Sequence, residues 1–254
     1  MIKKIFSIIT LSLIMVSFSF AGVEDELKKI NQSLKEIDKR LTAIEKKVNT
    51  PVQNNNKKQA DPNAEYNIPI SGSVVLGNPN AKVTITEFTD FQWPHCARSV
   101  SVIDEVLKKY PNDVKVVVKH FPLSFHKQAF PASKYALAAN EQGKYKEMFH
   151  MIFCGTTESV PANECNAWRK LKENENLPID YARVLGLDIN KFVQDFGSDK
   201  IKKQLALEMD QFKNSGIPRL AVPKFLVQRK EYTGKRTLAG FSAMIDAELA
   251  KIKK

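Results

Sequence analysis

Three cysteines occur in the 254-residue chain, and one of them, Cys96, stands in Asp90-Phe91-Gln92-Trp93-Pro94-His95-Cys96-Ala97-Arg98-Ser99, a stretch composed for sulfur chemistry. A thiolate attacks a disulfide, and a second thiol nearby resolves the mixed disulfide so formed, so a full cycle needs two sulfurs. The residue three positions before Cys96 is Trp93, whose indole has no nucleophilic sulfur. His95, between them, is a side chain that can stabilise a neighbouring thiolate as a cation or hydrogen-bond donor. Upstream, Val83-Thr84-Ile85-Thr86-Glu87-Phe88 has the short alternation and β-branched content of a buried strand. Downstream, Val100, Ile103 and Leu107 recur at helical spacing with Cys96 on the same face.

Phe88-Thr89-Asp90-Phe91-Gln92, with Pro94, Cys96 and Ala97-Arg98-Ser99, resembles the DsbA family of bacterial disulfide oxidoreductases, whose members usually carry cysteine where Trp93 stands. The likeness continues in Val75-Leu76-Gly77-Asn78-Pro79-Asn80-Ala81, in His120-Phe121-Pro122-Leu123, in the run from Ala136 to Tyr145, in Leu185-Gly186-Leu187-Asp188 and in Pro223-Lys224-Phe225-Leu226-Val227. It implies an α/β thioredoxin fold over residues 70–254 with a helical insertion at about 129–212. It implies thiol-disulfide exchange or folding of polypeptide clients, with Trp93, Pro94, His95 and Cys96 as the active-site motif and Cys96 and His95 as the catalytic candidates. Pro223 matches the family's cis-proline. The backbone of Val222 before it can pair with an extended client, and Trp93 beside that groove can add an apolar contact. No cofactor is implied. A redox-inactive chaperone or peptide-binding module is the rival function.

Three readings of Cys96 stay open: a packed thiol in a redox-dead fold, a single-thiol function such as mixed-disulfide trapping, and a Trp-for-Cys exchange at position 93 that one base change would revert. His95 with Cys96 as ligands for a soft metal such as Cu(I) is a weaker reading, because adjacent residues rarely converge on one ion, and no metal is expected. Glu87 reads either as a strand glutamate with a salt-bridge partner or as a buried carboxylate beneath the motif. Phe121, Phe125, Phe130, Phe149, Phe153, Met148 and Met151 read as core. Cys154 and Cys165 bracket a polar loop, and pairing them in an oxidising compartment would contribute about 3 kcal/mol on the chain-entropy model and leave Cys96 unpaired. Two free thiols is the alternative; a zinc site lacks a second ligand pair at suitable spacing.

Lys3 and Lys4, the apolar run from Ile5 to Phe20 and Ser19-Phe20-Ala21 read as a signal peptide cleaved after Ala21, which predicts a periplasmic protein; an uncleaved anchor is the lesser alternative. Losing Lys3 and Lys4 takes the 39 basic residues to 37 against 28 acidic ones. This excess is spread over many lysines with no interleaved aromatic residues, so nucleic-acid binding is not expected. From Val23 to Val48 the apolar residues Val23, Leu27, Ile30, Leu34, Ile37, Leu41, Ile44 and Val48 alternate in steps of four and three, a heptad seam across 22–48. Leucine at a with isoleucine at d favours trimers or tetramers over dimers, and Arg40 could pair with Glu45 between helices. Residues 49–69, with Pro51, Pro62 and a run of asparagines, read as a tether. Expected partners are therefore further copies of this chain and unfolded or cysteine-containing exported proteins, with a membrane redox partner left open.

Overall fold

The structure, a computed structural model, describes residues 25, 28–40, 42, 61 and 64–252. The expected leader, both ends of the heptad seam and most of the tether lie outside the described residues. The chain divides into two units, residues 1–57 and 58–254. In the first, residues 28–40 are helical, and Ile30, Leu34 and Ile37 are 52, 55 and 54% exposed. Arg40 Nε lies 3.3 Å from Glu36 Oε1 on its own helix; Glu45 lies outside the described residues.

In the second unit the β-branched segments pair into a five-stranded sheet of order β1-β3-β2-β4-β5: β1 (Val74–Gly77), β2 (Val83–Thr89), β3 (Val114–His120), β4 (Lys224–Val227) and β5 (Lys230–Glu231). Only β2 and β3 are parallel; the other neighbours are antiparallel. A parallel pair needs a crossover, and here it is α1 (Pro94–Ala97) followed by α2 (Val100–Lys109). The central strands are covered on both faces, so even Glu87 and Thr89 of β2 are buried.

The insertion comprises α3 (Ala129–Asn140), α4 (Tyr145–Cys154), a 3-10 turn at Ala167–Lys172, α5 (Leu177–Val184), α6 (Ile189–Gly197) and α7 (Asp199–Lys213), and α8 (Leu238–Ile252) closes the fold. Asp188 and Ser198 cap α6 and α7 by accepting from the Lys191 and Ile201 amides. Phe212 of α7 stacks on Phe88 of β2 at 4.0 Å. Glu208, one helical turn earlier, enters the interior and accepts from the amide and Nδ1 of His120 at 2.9 and 2.7 Å. The Tyr145 hydroxyl meets His120 Nε2 at 2.9 Å, so sheet and insertion share one buried polar chain. Cys154 and Cys165 are bridged. Among the described residues, no helix is long and apolar enough to cross a membrane.

Three details correct or extend the sequence reading. Phe125 and Phe130 are 68 and 44% exposed, because one lies in the irregular 121–128 loop and the other on the outer side of the first turn of α3; Phe149, Phe153, Met148 and Met151 are core and Phe121 is half-buried. The final hairpin is tight: β4 stops at Val227, and Gln228 and Arg229 form the turn with φ of 46° and 71°. Positive φ at both turn residues matches the twist of the flanking strands but is unfavourable for side chains other than glycine. Gln228 offsets this by joining the sheet, its Oε1 accepting from the Thr84 amide and its Nε2 donating to the Lys82 carbonyl. Finally, of the two readings of Glu87 the structure favours the buried carboxylate, which has no salt bridge among the described residues. It is 1% exposed, and burial raises its carboxyl to about 8 against the opposing charge of the Arg236 guanidinium.

Replacing Cys154 and Cys165 by serine is expected to lower unfolding free energy by about 3 kcal/mol in a urea titration, since an 11-residue separation is closed by the bridge. Between the ordinary carboxylate value of 4.5 and about 8, Glu87 is ionised in the unfolded chain but protonated in the fold, so it costs stability as pH rises through that window. Glu87→Gln should match the natural protein at pH 4 and exceed it by a few kcal/mol at pH 8, at about 1.4 kcal/mol per unit; a difference independent of pH would refute this.

Candidate functional site

The site begins where β2 ends. Asp90 follows the last strand residue and is fully buried. Its Oδ1 accepts from the Gln92 amide at 2.6 Å, an Asx turn that redirects the chain. Its Oδ2 accepts from the Leu123 amide at 2.7 Å and from His126 Nδ1 at 3.0 Å. Gln92 adds a fourth link, its Oε1 accepting from the Gln128 amide at 2.8 Å. Burial raises the Asp90 carboxyl above the usual range, opposed by the Leu123 amide, His126 and the Gln92 amide. Asp90, Gln92 and His126 were not picked out from sequence as site residues. The available signal was an Asp two residues ahead of a turn amide; the partners in the 121–128 loop carry no local signature.

Trp93 then takes an extended backbone conformation, with φ of −92°, and precedes Pro94 at the first helical position. Proline suits that place because its missing N–H would be unpaired there anyway. The Trp93 carbonyl accepts from the Cys96 and Ala97 amides, which closes the short α1. Its half-buried indole lies 5.0 Å from the His95 ring and 5.5 Å from the His126 ring.

Cys96 is 0% exposed, on the same inward face as Val100 and Ile103. Its sulfur accepts from the Asp90 amide at 3.4 Å. Burial pushes the thiol well above its ordinary value, and the negative charges of Glu87 and Asp90 add to this; the Asp90 amide and Thr89 offset only part. The neutral thiol is thus the resting form. His95 points the other way and is exposed. Arg98 Nη2 donates to its Nδ1 at 2.7 Å, and burial, Arg98 and Arg236 all lower its basicity. An imidazole held neutral supplies no cation to a thiolate. One side chain points out and the other in, so no shared ligand pair for a metal forms. Among the described residues no group of three His, Cys, Asp or Glu side chains is placed to hold one.

The antiparallel register sets Phe88 opposite Lys224, which brings the Val222–Pro223 peptide to the end of β2 from which the Trp93 loop departs. That peptide bond is cis. Val222 is 7% exposed, and neither its N–H nor its C=O enters a backbone hydrogen bond among the described residues. Pro94 is half-buried.

The sequence model of the Thioredoxin_4 family, described as thioredoxin, matches residues 70–247. A curated relative, the Na(+)/H(+) antiporter NhaA 1 of Mycolicibacterium gilvum, is 30% identical over 174 residues, which are 68% of this chain and 26% of that protein. The chain thus spans about a quarter of that relative's length. Among solved structures, the thiol-disulfide exchange protein alpha-DsbA2 of Wolbachia pipientis is similar over 69% of this chain and 86% of its own, with a TM-score of 0.56 at 17% identity. BdbD of Bacillus subtilis is similar over 74% and 98%, with a TM-score of 0.57 at 19% identity. With an inserted helical domain between the two halves of its sheet, and with this match over most of its length, the chain belongs to the Thioredoxin_4 family of thioredoxins and has the fold of the DsbA-like thiol-disulfide oxidoreductases.

Proposed function

We propose that this protein receives extended, cysteine-bearing segments of exported polypeptides at the face made by Trp93, Val222 and Pro223, and takes part in their folding or disulfide exchange without a dithiol cycle of its own. One contrast carries the reading: the sulfur of Cys96 is wholly buried, while beside it Trp93 is partly exposed and the backbone of Val222 is unpaired among the described residues. A buried neutral thiol attacks slowly. A free backbone N–H and C=O at a strand end can extend the ladder into an incoming strand, a contact that needs no sulfur. Cys96 is then a packing residue and lies outside the binding surface.

The leader-like residues 1–21 support export to the periplasm. Ile30, Leu34 and Ile37, exposed along one stripe, support self-association through 22–48 into a trimer or tetramer, because burying each removes apolar surface from water at about 25 cal/mol per Å². A tether over 49–69 would let several binding faces act on one client, raising apparent affinity without any new contact.

In calorimetric titration with an extended apolar peptide that contains cysteine, Trp93→Ala is expected to weaken binding by about tenfold, and Cys96→Ala to leave it unchanged. Equal loss in both, or loss only in Cys96→Ala, would move the function back to the thiol. In sedimentation equilibrium the mature chain should be a trimer or tetramer and Ile37→Lys a monomer; a natural chain that stays monomeric at all concentrations removes the stalk from the proposal.

A further inference from the structure

The imidazole of His126 is built into the site more firmly than either residue flanking Cys96. Its Nδ1 lies 3.0 Å from Asp90 Oδ2, an acceptor that is fully buried and already takes the Leu123 amide at 2.7 Å. A carboxylate can only accept, so Nδ1 carries the proton in this contact and the lone pair sits on Nε2. Among the described residues Nε2 has no hydrogen-bond partner. The side chain is 12% exposed, with Trp93 on one side at 5.5 Å and Phe125 edge-on at 4.5 Å. The backbone fixes the ring as well, since the His126 amide donates to the Leu123 carbonyl and the His126 carbonyl accepts from the Ala129 amide. A histidine oriented through Nδ1 by a buried carboxylate, with Nε2 left open beside a binding surface, is arranged as a general base.

We propose that His126, positioned by Asp90, is a catalytic base that accepts the proton of a client thiol bound at Trp93, and that the protein thereby promotes disulfide exchange between bound molecules without using a cysteine of its own. This rests on the client-binding reading above. The client S–H gives its proton to Nε2. The resulting thiolate attacks one sulfur of a second disulfide, in the same client or in a small disulfide; the new S–S bond forms as the old one breaks. The departing thiolate then takes the proton back from Nε2. One disulfide replaces another, so nothing is oxidised or reduced overall and no external electron acceptor is needed. Trp93 fits this scheme because it removes the protein's own attacking sulfur and leaves a flat apolar seat for the client.

The test follows exchange between a cysteine-containing apolar peptide and oxidised glutathione in the presence of the full mature chain. The natural protein and Cys96→Ala are expected to accelerate exchange equally. His126→Ala should reduce kcat/KM by at least about tenfold while calorimetry shows the peptide still bound, and added imidazole should restore part of the rate. His126→Gln, which keeps a donor toward Asp90, should fold like the natural protein, stay slow and gain nothing from imidazole. Full activity in His126→Ala, or loss of activity in Cys96→Ala, overturns the role of His126. Failure of the natural chain to bind the peptide overturns the client reading and this inference together, whereas binding with unchanged exchange overturns the inference alone.

Discussion

A single buried carboxylate holds the site together. Asp90 collects one amide from its own turn and an amide and an imidazole from the 121–128 loop, 33 and 36 residues away in sequence. Unpaired, each of those donors would cost about 1–3 kcal/mol in the interior. The charge of Asp90 is therefore tolerated only with both loops in place. Through this arrangement the backbone amide of Asp90 meets the sulfur of Cys96, the indole of Trp93 lies against His126, and the start of the insertion is pinned to the end of β2.

The surroundings of Cys96 differ in kind from those that activate a thiol. A reactive cysteine sits near positive charge and solvent; Cys96 sits away from solvent with the carboxyl groups of Glu87 and Asp90 as its titratable neighbours. The cations of the region, Arg98 and Arg236, act on His95 at the surface. Inward-facing acids and outward-facing bases thus keep the sulfur apart from these cations.

Much of the fold was legible because it follows from local pattern. Val83 to Phe88 is dense in β-branched residues and became a central strand, and Val100, Ile103 and Leu107 recur at helical spacing along what is α2. The motif from Asp90 to Ser99 pointed to the loop and short helix that form the candidate site. What remained hidden depends on residues distant in sequence. Nothing near Asp90 announces His126, and nothing near His120 announces Tyr145 and Glu208. Glu87 carries no sign of whether a cation reaches it; Arg236 comes near but forms no salt bridge. The Gln228–Arg229 turn was illegible for another reason: neither residue favours positive φ, and contacts with residues distant in sequence, those of the Gln228 side-chain amide with Lys82 and Thr84 among them, compensate.

Glu87 also makes folding a protonic event. At pH values between the ordinary carboxylate range and about 8, the unfolded chain must take up one proton at this position to reach its native form. The measured heat of unfolding then includes the ionisation heat of whichever buffer receives that proton, and will differ between phosphate and Tris at the same pH. Between those pH values the native state draws on the medium for a proton that its sequence alone does not supply.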